Sequence, residues 1–265
     1  MDTPAPVAAR DAVVAALAGL APELDPAGLD PARPLREQVD LDSMDWLNLL
    51  DVVGERLGVT LPADGLGPDA TLDALVAAVD RARRGAPSRR RRAGTVFAPR
   101  RRRLANGRWV TVRPITPADA ALEAEFVRNL SMEARYKRFM TSLRELTPAK
   151  LKYFTEVDQV RHLALVATAI ERRRRTIVGV ARCVAPPGST SCEYAIVVAD
   201  RWQRTGLGSV LMIELMRAAR ERGLREIHGV VLAGNRGMLR LARQLGFQIQ
   251  PQSDEPGTVR VARTL

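Results

Sequence analysis

The stretch Gln203-Arg204-Thr205-Gly206-Leu207-Gly208 lies between an apolar run, Tyr194–Val198, and a long amphipathic run, and its residue types favour phosphate binding. Glycines let the backbone approach a ligand closely, and successive free N–H groups at the start of a helix attract a phosphate or pyrophosphate. Arg204 adds a positive charge. Two glycines are also typical of an ordinary strand–turn–helix corner, so the surrounding sequence must decide between the two interpretations.

A second candidate is Ser43, which lies in the acidic stretch VDLDSMDWLNLL. Apolar residues follow it at the spacing of one helix face: Met44, Leu47, Leu50, Val53 and Leu57. Ser43 or Asp42 is a natural N-cap for that helix, because either side chain can accept a hydrogen bond from a free backbone amide. Helix capping explains the serine on its own, so a chemical role needs further support.

The other reactive side chains are few, since the 265 residues include two histidines and two cysteines. His162 and His228 each lie in an apolar stretch without metal-ligand spacing, so both are predicted to be structural. Cys183 and Cys192 flank VAPPGSTS, where a hairpin would let them face each other. We predict that both are thiols, because the chain is expected to be cytoplasmic, with neither a signal peptide nor an apolar run of the roughly 20 residues that a membrane span needs.

The elements that would position these residues divide the sequence into two parts. Residues 1–84 show helical periodicity, whereas residues 108–265 alternate between strand and helix patterns, which is typical of a mixed α/β domain. The predicted strands are RWVTVRPI, HLALVATAI, RTIVGVARCV, SCEYAIVVA, EIHGVVLA, FQIQP and TVRVART. The longest predicted helix is GLGSVLMIELMRAARERG, with a buried side formed by Val210, Leu211, Ile213, Leu215 and Met216.

Charge separates the same two parts of the chain. Residues 1–80 hold fifteen acidic residues against four arginines, whereas residues 81–265 hold 37 basic and 15 acidic residues, in a chain of net charge +11. Between them, residues 85–107 contain arginines and no acidic residue, which predicts a solvated Arg-rich linker. A nucleic-acid surface is the alternative, but the arginine clusters contain no aromatic residue for base stacking, so a nucleic-acid partner is not favoured.

Residues 108–265 resemble the GCN5-related N-acetyltransferase (GNAT) family. Its acyl-CoA-binding motif Q/R-x-x-G-x-G/A is matched by QRTGLG, and the following helix, the next strand and Asn235 of NRGMLRLARQLGF come in the family's order. The stretches VRPITPAD, SMEARYKRFM and EYAIVVADRWQRTGLG look most like bacterial protein-lysine acetyltransferases. The resemblance implies a mixed, mostly antiparallel central sheet flanked by helices, with a V-shaped opening between two central strands.

The resemblance also implies how acetyl-CoA or another acyl-CoA would bind. No metal is expected, because the two cysteines and two histidines form no metal-ligand cluster. The pantetheine arm would lie in the opening, with Val198 near the place where the two central strands spread apart. Asn235 would belong to the same binding site. The pyrophosphate would bind the backbone amides of Gln203, Arg204, Thr205, Gly206, Leu207, Gly208 and Ser209.

Glu193, which opens the strand leading to this turn, is the expected general base, and the resembling lysine acetyltransferases carry a glutamate there. An amine must lose a proton before or as it attacks a thioester, and a partly buried carboxylate would have a raised pKa suited to accepting it. A strand-edge glutamate facing water is the alternative. Many family members place a tyrosine acid where this chain has Ala242, and Tyr194 or Tyr136 could replace it, although a structural role is favoured for both.

The stretch LDSMDWLNLLDVVGERLGVTLP resembles an acyl or peptidyl carrier domain, in which a serine at the start of the second helix carries 4'-phosphopantetheine. Residues 1–84 are therefore expected to form an all-α four-helix carrier bundle, with Ser43 modified by a phosphopantetheinyl transferase. The acidic charge fits this interpretation, because carrier domains dock to basic partner surfaces.

Together these features predict an N-acyltransferase fused to a carrier domain. It would move an acyl group from a CoA or carrier thioester to an amine, which would be a small molecule, a carrier-bound group or a protein lysine. A non-catalytic acyl-CoA sensor coupled to the carrier domain is the alternative function. No membrane partner is expected.

Overall fold

The computed structural model of the chain describes residues 9–21, 24–39, 41, 43–59, 61, 66–67, 69–84, 97–140, 144–251 and 257–265. The chain divides into two compact units near Arg91, the first helical and the second containing all the described strands. No helix among the described residues is both long enough and apolar enough to cross a membrane.

The N-terminal unit contains three α-helices within the described residues: α1 (Ala9–Leu20), α2 (Ser43–Leu57) and α3 (Leu72–Arg84). Their apolar faces meet in one core, which includes Val13, Leu17, Leu49, Val53, Leu72, Leu75 and Val79. The hydroxyl of Thr71 accepts a hydrogen bond from the Ala74 amide at 3.1 Å and so caps α3.

The expected four-helix bundle is not what the described residues show, because a fourth α-helix is missing from them. Two short 3-10 turns, Pro26–Gly28 and Leu35–Glu37, occupy the connection between α1 and α2.

The C-terminal unit is built on an eight-stranded sheet in the order β1-β2-β3-β4-β5-β6-β8-β7. The strands are β1 (Arg100–Arg103), β2 (Trp109–Pro114), β3 (His162–Glu171), β4 (Arg174–Val184), β5 (Ser191–Val198), β6 (Glu226–Leu232), β7 (Gln248–Pro251) and β8 (Thr258–Thr264). Neighbouring strands are antiparallel except β5 and β6, which are parallel. The mixed, mostly antiparallel sheet implied by the sequence resemblance is thus confirmed.

Helices cover both faces of this sheet. The helices are α4 (Ala120–Asn129), α5 (Met132–Phe139), α6 (Pro148–Thr155), α7 (Leu207–Glu221) and α8 (Arg236–Gln244). Residues of α7 and α8 pack in one core, and residues of α4, α5 and α6 pack in another on the opposite face. Because β3 is covered on both sides, its sequence HLALVATAI is a continuous apolar run rather than an alternating one.

Helix α7 lies directly on β4 and β5. A Cβ atom at Gly179 of β4 would lie 2.9 Å from the Cδ1 atom of Leu211, so only glycine allows this close approach. Leu211, Leu215 and Met216 are buried as expected, whereas Ile213 is about half exposed, so its assignment to the buried side was wrong. Ile213 lies two positions from both Leu211 and Leu215, about 200° around the helix, which turns it toward solvent.

The expected linker of residues 85–107 ends inside the sheet. Arg100–Arg103 pairs with β2 as the edge strand β1, and Phe97 and Leu104 are buried in the core under α7. Arg102 also binds the buried carboxylate of Glu214 on α7, a partner that local sequence does not reveal. Of the linker, residues 85–96 lie outside the described residues.

Candidate functional site

A gap opens in the sheet between β5 and β6. The two strands pair through Ser191–Glu226, Cys192–Ile227 and Glu193–His228, and no pair follows, although β5 runs on to Val198 and β6 to Leu232. Over the same length β5 remains paired with β4, and β6 remains paired with β8. We call this gap the β5–β6 opening; it starts after Glu193 and extends along β5 to Val198. A role for Val198 in binding the pantetheine arm stays a prediction.

The turn that follows β5 presents backbone amides at the start of α7. Gly206 is the N-cap with φ +87°, in the left-handed region where glycine is unstrained, and Arg204 is also left-handed with φ +59°. The first amides of a helix have no intrahelical acceptor, and Gly206 offers no side chain to cap them. The amides of Leu207, Gly208 and Ser209 are therefore available to an anion, and the helix dipole favours one there.

The side chains of this turn hold it in place rather than filling it. Gln203 donates from Nε2 to the Val198 carbonyl oxygen at 3.2 Å, and the Thr205 hydroxyl donates to the Trp202 carbonyl oxygen at 2.6 Å. Leu207 is fully buried in the core, whereas the Arg204 side chain is exposed. A ligand at this turn would thus meet backbone N–H groups and one guanidinium.

Two further contacts anchor the turn to the rest of the unit. Trp202 is buried, donates from Nε1 to Glu171 at 2.9 Å, and carries the Arg108 guanidinium 3.3 Å from its ring centre. Asp200 accepts from the Ser131 hydroxyl at 2.6 Å and from the Ser131 amide at 2.9 Å. Burial raises the pKa of Asp200, but the hydrogen bonds from Ser131 outweigh it and leave the pKa below its usual value.

Glu193 lies at the closed end of the opening. Its side chain is half-buried, and it shares a sheet face with its two directly opposed neighbours, Val184 on β4 and His228 on β6. This is the face covered by α4, α5 and α6, and not the face under α7. Glu193 and Val198, the last residue of β5 before the chain turns toward α7, are about 17 Å apart along the strand.

Asn235 and Gly208 connect the start of α8 with the start of α7. The Asn235 side-chain oxygen accepts from the Met238 amide at 3.1 Å, so Asn235 is the N-cap of α8. A Cβ atom on Gly208 would lie 3.2 Å from the Cδ2 atom of Leu241 on α8, so glycine lets the two helices approach closely. The structure thus gives Asn235 a capping role beside any role in ligand binding.

The residues considered as substitutes for a tyrosine acid occupy different environments. Ala242 is fully buried and carries no proton donor. Tyr194 is buried with its ring edge-on to Phe247 at 5.5 Å, and burial raises the pKa of its hydroxyl, as expected for a structural residue. Tyr136 on α5 is about half exposed, so it is not part of a core.

A buried charged cluster lies under α4 and α6 and was not identified from the sequence. Arg182 of β4 donates to the Glu123 carboxylate at 3.1 Å and to the Phe154 carbonyl oxygen at 3.2 Å, and its guanidinium lies 4.1 Å from the Phe154 ring centre. His162 is buried beside it, with Nε2 3.4 Å from Arg182, which agrees with a structural role. Burial raises the pKa of Glu123 and, together with Arg182, lowers that of His162. Such a pair cannot be recognised from a local apolar pattern, because Glu123 and Arg182 are 59 residues apart in the sequence.

His228 was predicted to be structural, yet it lies beside Glu193 and is only partly buried. Its Nδ1 atom is 3.0 Å from the Ser191 hydroxyl and 3.7 Å from the Glu226 carboxylate. Because the register of β5 against β6 cannot be read from sequence, this neighbourhood was missed. A signal was nevertheless available, because each strand carries two polar residues at positions i and i+2 and so on one face. These are Ser191 and Glu193 in β5, and Glu226 and His228 in β6.

Ser43 begins α2, as the sequence predicted. Its side chain falls outside the described part of the chain, so its role stays a prediction.

Comparisons with known proteins bear on the C-terminal unit. A sequence model of the acetyltransferase (GNAT) family matches residues 125–247. Acetyltransferase PA5475 of Pseudomonas aeruginosa is 36% identical over 152 residues, which are 57% of this chain and 82% of that protein. Acetyltransferase Pat of Mycolicibacterium smegmatis is 32% identical over 158 residues, which are 59% of this chain and 46% of that protein.

One solved structure extends the comparison to the fold. The crystal structure of the GNAT domain of S. lividans PAT matches with a TM-score of 0.58 and 29% identity. The match covers 63% of this chain and 97% of that domain.

Proposed function

Because this chain belongs to the acetyltransferase (GNAT) family, we propose that its C-terminal unit transfers an acyl group from acyl-CoA to an amine with Glu193 as the general base. The observation that carries the proposal is the arrangement along β5. Glu193 lies at the closed end of the β5–β6 opening, and the turn at Gly206, with its uncapped amides, follows the other end of β5.

The residues present fit an acyl-CoA donor. The open amides of Leu207, Gly208 and Ser209 and the Arg204 guanidinium suit a pyrophosphate, which carries negative charge and many acceptor oxygens. The unpaired edges of β5 and β6 offer backbone groups to an extended amide-containing arm, as an open strand edge does for a peptide. Acyl-CoA would supply a thioester, whose carbonyl carbon an amine can attack.

Glu193 is suited to prepare that amine. A lysine-type amine is protonated near neutral pH, and only the neutral form is a nucleophile. A carboxylate at the closed end of the opening can take the proton from the ammonium group as it enters.

Replacing Glu193 with glutamine tests this assignment. We expect Glu193→Gln to bind acetyl-CoA as the wild type does, measured as a thermal shift, while release of free CoA thiol with a panel of amines and lysine-containing proteins falls about 10²-fold or more. The control is Glu133→Gln, which changes an exposed glutamate paired with Lys137 on α5 and should leave turnover unchanged.

Equal turnover in Glu193→Gln and wild type would exclude Glu193 as the base. Tight acetyl-CoA binding by the wild type without turnover on any amine would favour the acyl-CoA sensor instead. Absence of a thermal shift at millimolar acetyl-CoA would contradict the binding site itself.

The finer proposal is that the N-terminal unit is a carrier domain. Its support is the LDSM sequence, the position of Ser43 at the start of α2, and the excess of acidic residues in positions 1–80. A phosphopantetheinyl transferase would attach 4'-phosphopantetheine to Ser43, and the arm would hold either the acceptor amine or an acyl group.

Mass spectrometry of the intact chain tests the carrier proposal directly. After co-expression with a phosphopantetheinyl transferase, the wild type should gain the mass of the arm and Ser43→Ala should not. An unmodified wild type under conditions that modify a known carrier protein would contradict it, without affecting the assignment of Glu193.

A further inference from the structure

Four polar residues form a connected cluster at the closed end of the β5–β6 opening. Glu226 accepts from the Arg260 guanidinium at 2.7 Å and from the Ser191 hydroxyl at 3.2 Å. His228 Nδ1 lies 3.0 Å from the same Ser191 hydroxyl. The four side chains come from β5, β6 and β8, so sheet pairing holds them together.

The hydrogen bonds assign the proton on the His228 ring. Arg260 donates to Glu226 and thereby lowers the pKa of that carboxyl, so Glu226 is ionised and can only accept. The single hydroxyl proton of Ser191 therefore goes to Glu226, and the Ser191 oxygen must accept from His228 Nδ1–H. A neutral imidazole with its proton on Nδ1 keeps a lone pair on Nε2, the nitrogen on the opposite side of the ring.

This imidazole is the immediate neighbour of Glu193. The two residues are Cα partners in the last pair before the strands separate, and they lie on the same sheet face. Neighbouring strands are about 4.8 Å apart, so the two side chains are within reach of each other or of one bridging water. The charged groups that face His228 are Glu193 from β5, Glu226 from β6 and Arg260 from β8.

Acyl transfer to an ammonium group needs more than one proton acceptor. The nitrogen enters with three protons and leaves as an amide with one, so two protons depart; one ends on the leaving thiolate and the other in water. Glu193 can hold one proton at a time, and the buried Ala242 offers no group to handle the second.

We propose that His228 relays protons from Glu193 to water through Nε2, so that the carboxylate is free again when the attacking nitrogen loses its second proton. This rests on the proposed function of Glu193. The first proton passes from the ammonium nitrogen to the Glu193 carboxylate, then to His228 Nε2, and from there to solvent. The nitrogen lone pair forms the C–N bond, the C–S electron pair leaves with sulfur, and the second proton follows by way of the regenerated carboxylate to the thiolate.

Burial and the Arg260 charge make His228 a weak base. Together they lower its pKa to about 4, although Glu226 opposes this. A protonated His228 therefore gives its proton readily to water, as the relay requires. Ser191 and Glu226 act as positioning residues, since they fix the tautomer that leaves Nε2 open.

Substitution at His228 gives the test. His228→Asn keeps an amide N–H where Nδ1–H meets Ser191 but has no group at the place of Nε2. We expect its kcat to fall about 10²-fold while KM for acetyl-CoA and the acetyl-CoA thermal shift stay unchanged. In His228→Ala, added imidazole should restore turnover in proportion to its concentration, and it should not accelerate the wild type.

The possible results separate this inference from the proposed function. If the wild type turns over and His228→Asn matches its kcat, the relay is excluded while the role of Glu193 stands. A loss that appears only in KM for acetyl-CoA, or a His228→Ala activity that imidazole does not raise, would also overturn it. A wild type without any turnover would overturn the relay together with the proposed function.

Discussion

The guanidinium of Arg102 on β1 binds the carboxylate of Glu214 on α7, 112 residues further along the chain. Glu214 is almost fully buried, and its other oxygen accepts from Arg217 at 3.1 Å. The pair thus connects the edge strand of the sheet to the long helix that follows the Gly206 turn.

Removing Arg102 should therefore destabilise the C-terminal unit. Arg102→Met keeps the aliphatic stem but leaves one side of a buried carboxylate without its charged donor, so we expect the free energy of unfolding to fall by about 2 kcal/mol. Urea denaturation measures this. The matched control is Arg101→Met. Arg101 lies on β1 beside Arg102, but its side chain is exposed and contacts the ring face of Trp109 on β2, so this substitution should change the free energy of unfolding by less than about 1 kcal/mol. Equal effects of the two changes would contradict a structural role for the pair.

A side chain at Gly206 should weaken acyl-CoA binding. Nothing lies within 4 Å of a Cβ atom there, but φ of +87° would strain alanine by about 1–2 kcal/mol and favour rotation of the amides away from the ligand. Gly223→Ala is the control, because Gly223 follows the other end of α7 with φ +79° and equally open space. Both variants should lose similar stability, and only Gly206→Ala should raise the Kd for acetyl-CoA in calorimetry. A Kd that changes equally in both would mean that the turn is not the binding site.

Acid should destabilise the protein through His228. Burial and Arg260 lower its pKa to about 4 in the folded state, against an ordinary value near 6.5. Between these two values the unfolded chain binds a proton at His228 and the folded chain does not. Stability from this residue is present above pH 6.5 and is lost as the pH falls toward 4, by at most about 3 kcal/mol. His228→Asn lacks this loss, so its free energy of unfolding relative to wild type should improve between pH 7 and pH 4. A constant difference across that range would show that His228 titrates normally.

The buried pair of Glu123 and Arg182 should be more sensitive to single than to double substitution. Arg182→Met leaves a buried carboxylate without its main cation and should cost about 3–5 kcal/mol. The double variant Glu123→Leu with Arg182→Met removes both charges and should recover most of that loss. Chemical denaturation of the three proteins measures the coupling. Additive losses in the double variant would mean that the two side chains contribute independently.

Cys183 and Cys192 should react only in the unfolded protein. Both are free thiols and buried, and a hydrogen bond shared with Cys192, together with burial, favours the protonated form of Cys183 and raises the pKa of its thiol well above its usual value. A thiol reagent at pH 8 should therefore modify neither in the native protein and both in denaturant. Rapid reaction of either thiol under native conditions would contradict the packing of β4 against β5.

Local patterns predicted the glycine-containing turn of residues 203–208 and the strand that leads into it. QRTGLG combines glycines, a preceding apolar strand and a following amphipathic helix, and the positive φ of Gly206 and the open amides of α7 are the physical basis of that pattern. The position of Glu193 near the start of the strand was predictable as well, because it directly precedes the apolar run Tyr194–Val198. Such features depend on residues close together in sequence.

Long-range pairing explains what the sequence did not reveal. The four arginines of β1 looked like a repelling linker, because nothing in their neighbourhood indicates that one of them meets Glu214. His228 looked structural because its contact with Ser191 depends on the register of two parallel strands. In each case the deciding partner lies at least 37 residues away.

The three residue pairs between β5 and β6 are the only strand pairing, within the described chain, that joins strands β1–β5 to strands β6, β8 and β7. We call these three pairs the seam of the sheet, and the two groups of strands on either side of it, β1–β5 and β6–β8, its two panels. Because so few pairs join the panels, they can flex about the seam. Amide hydrogen exchange should then be faster along the seam than in the interior of either panel. A ligand lying along the opening would bridge the panels and stiffen the seam, so the chain would reach its most rigid form only when its donor is bound.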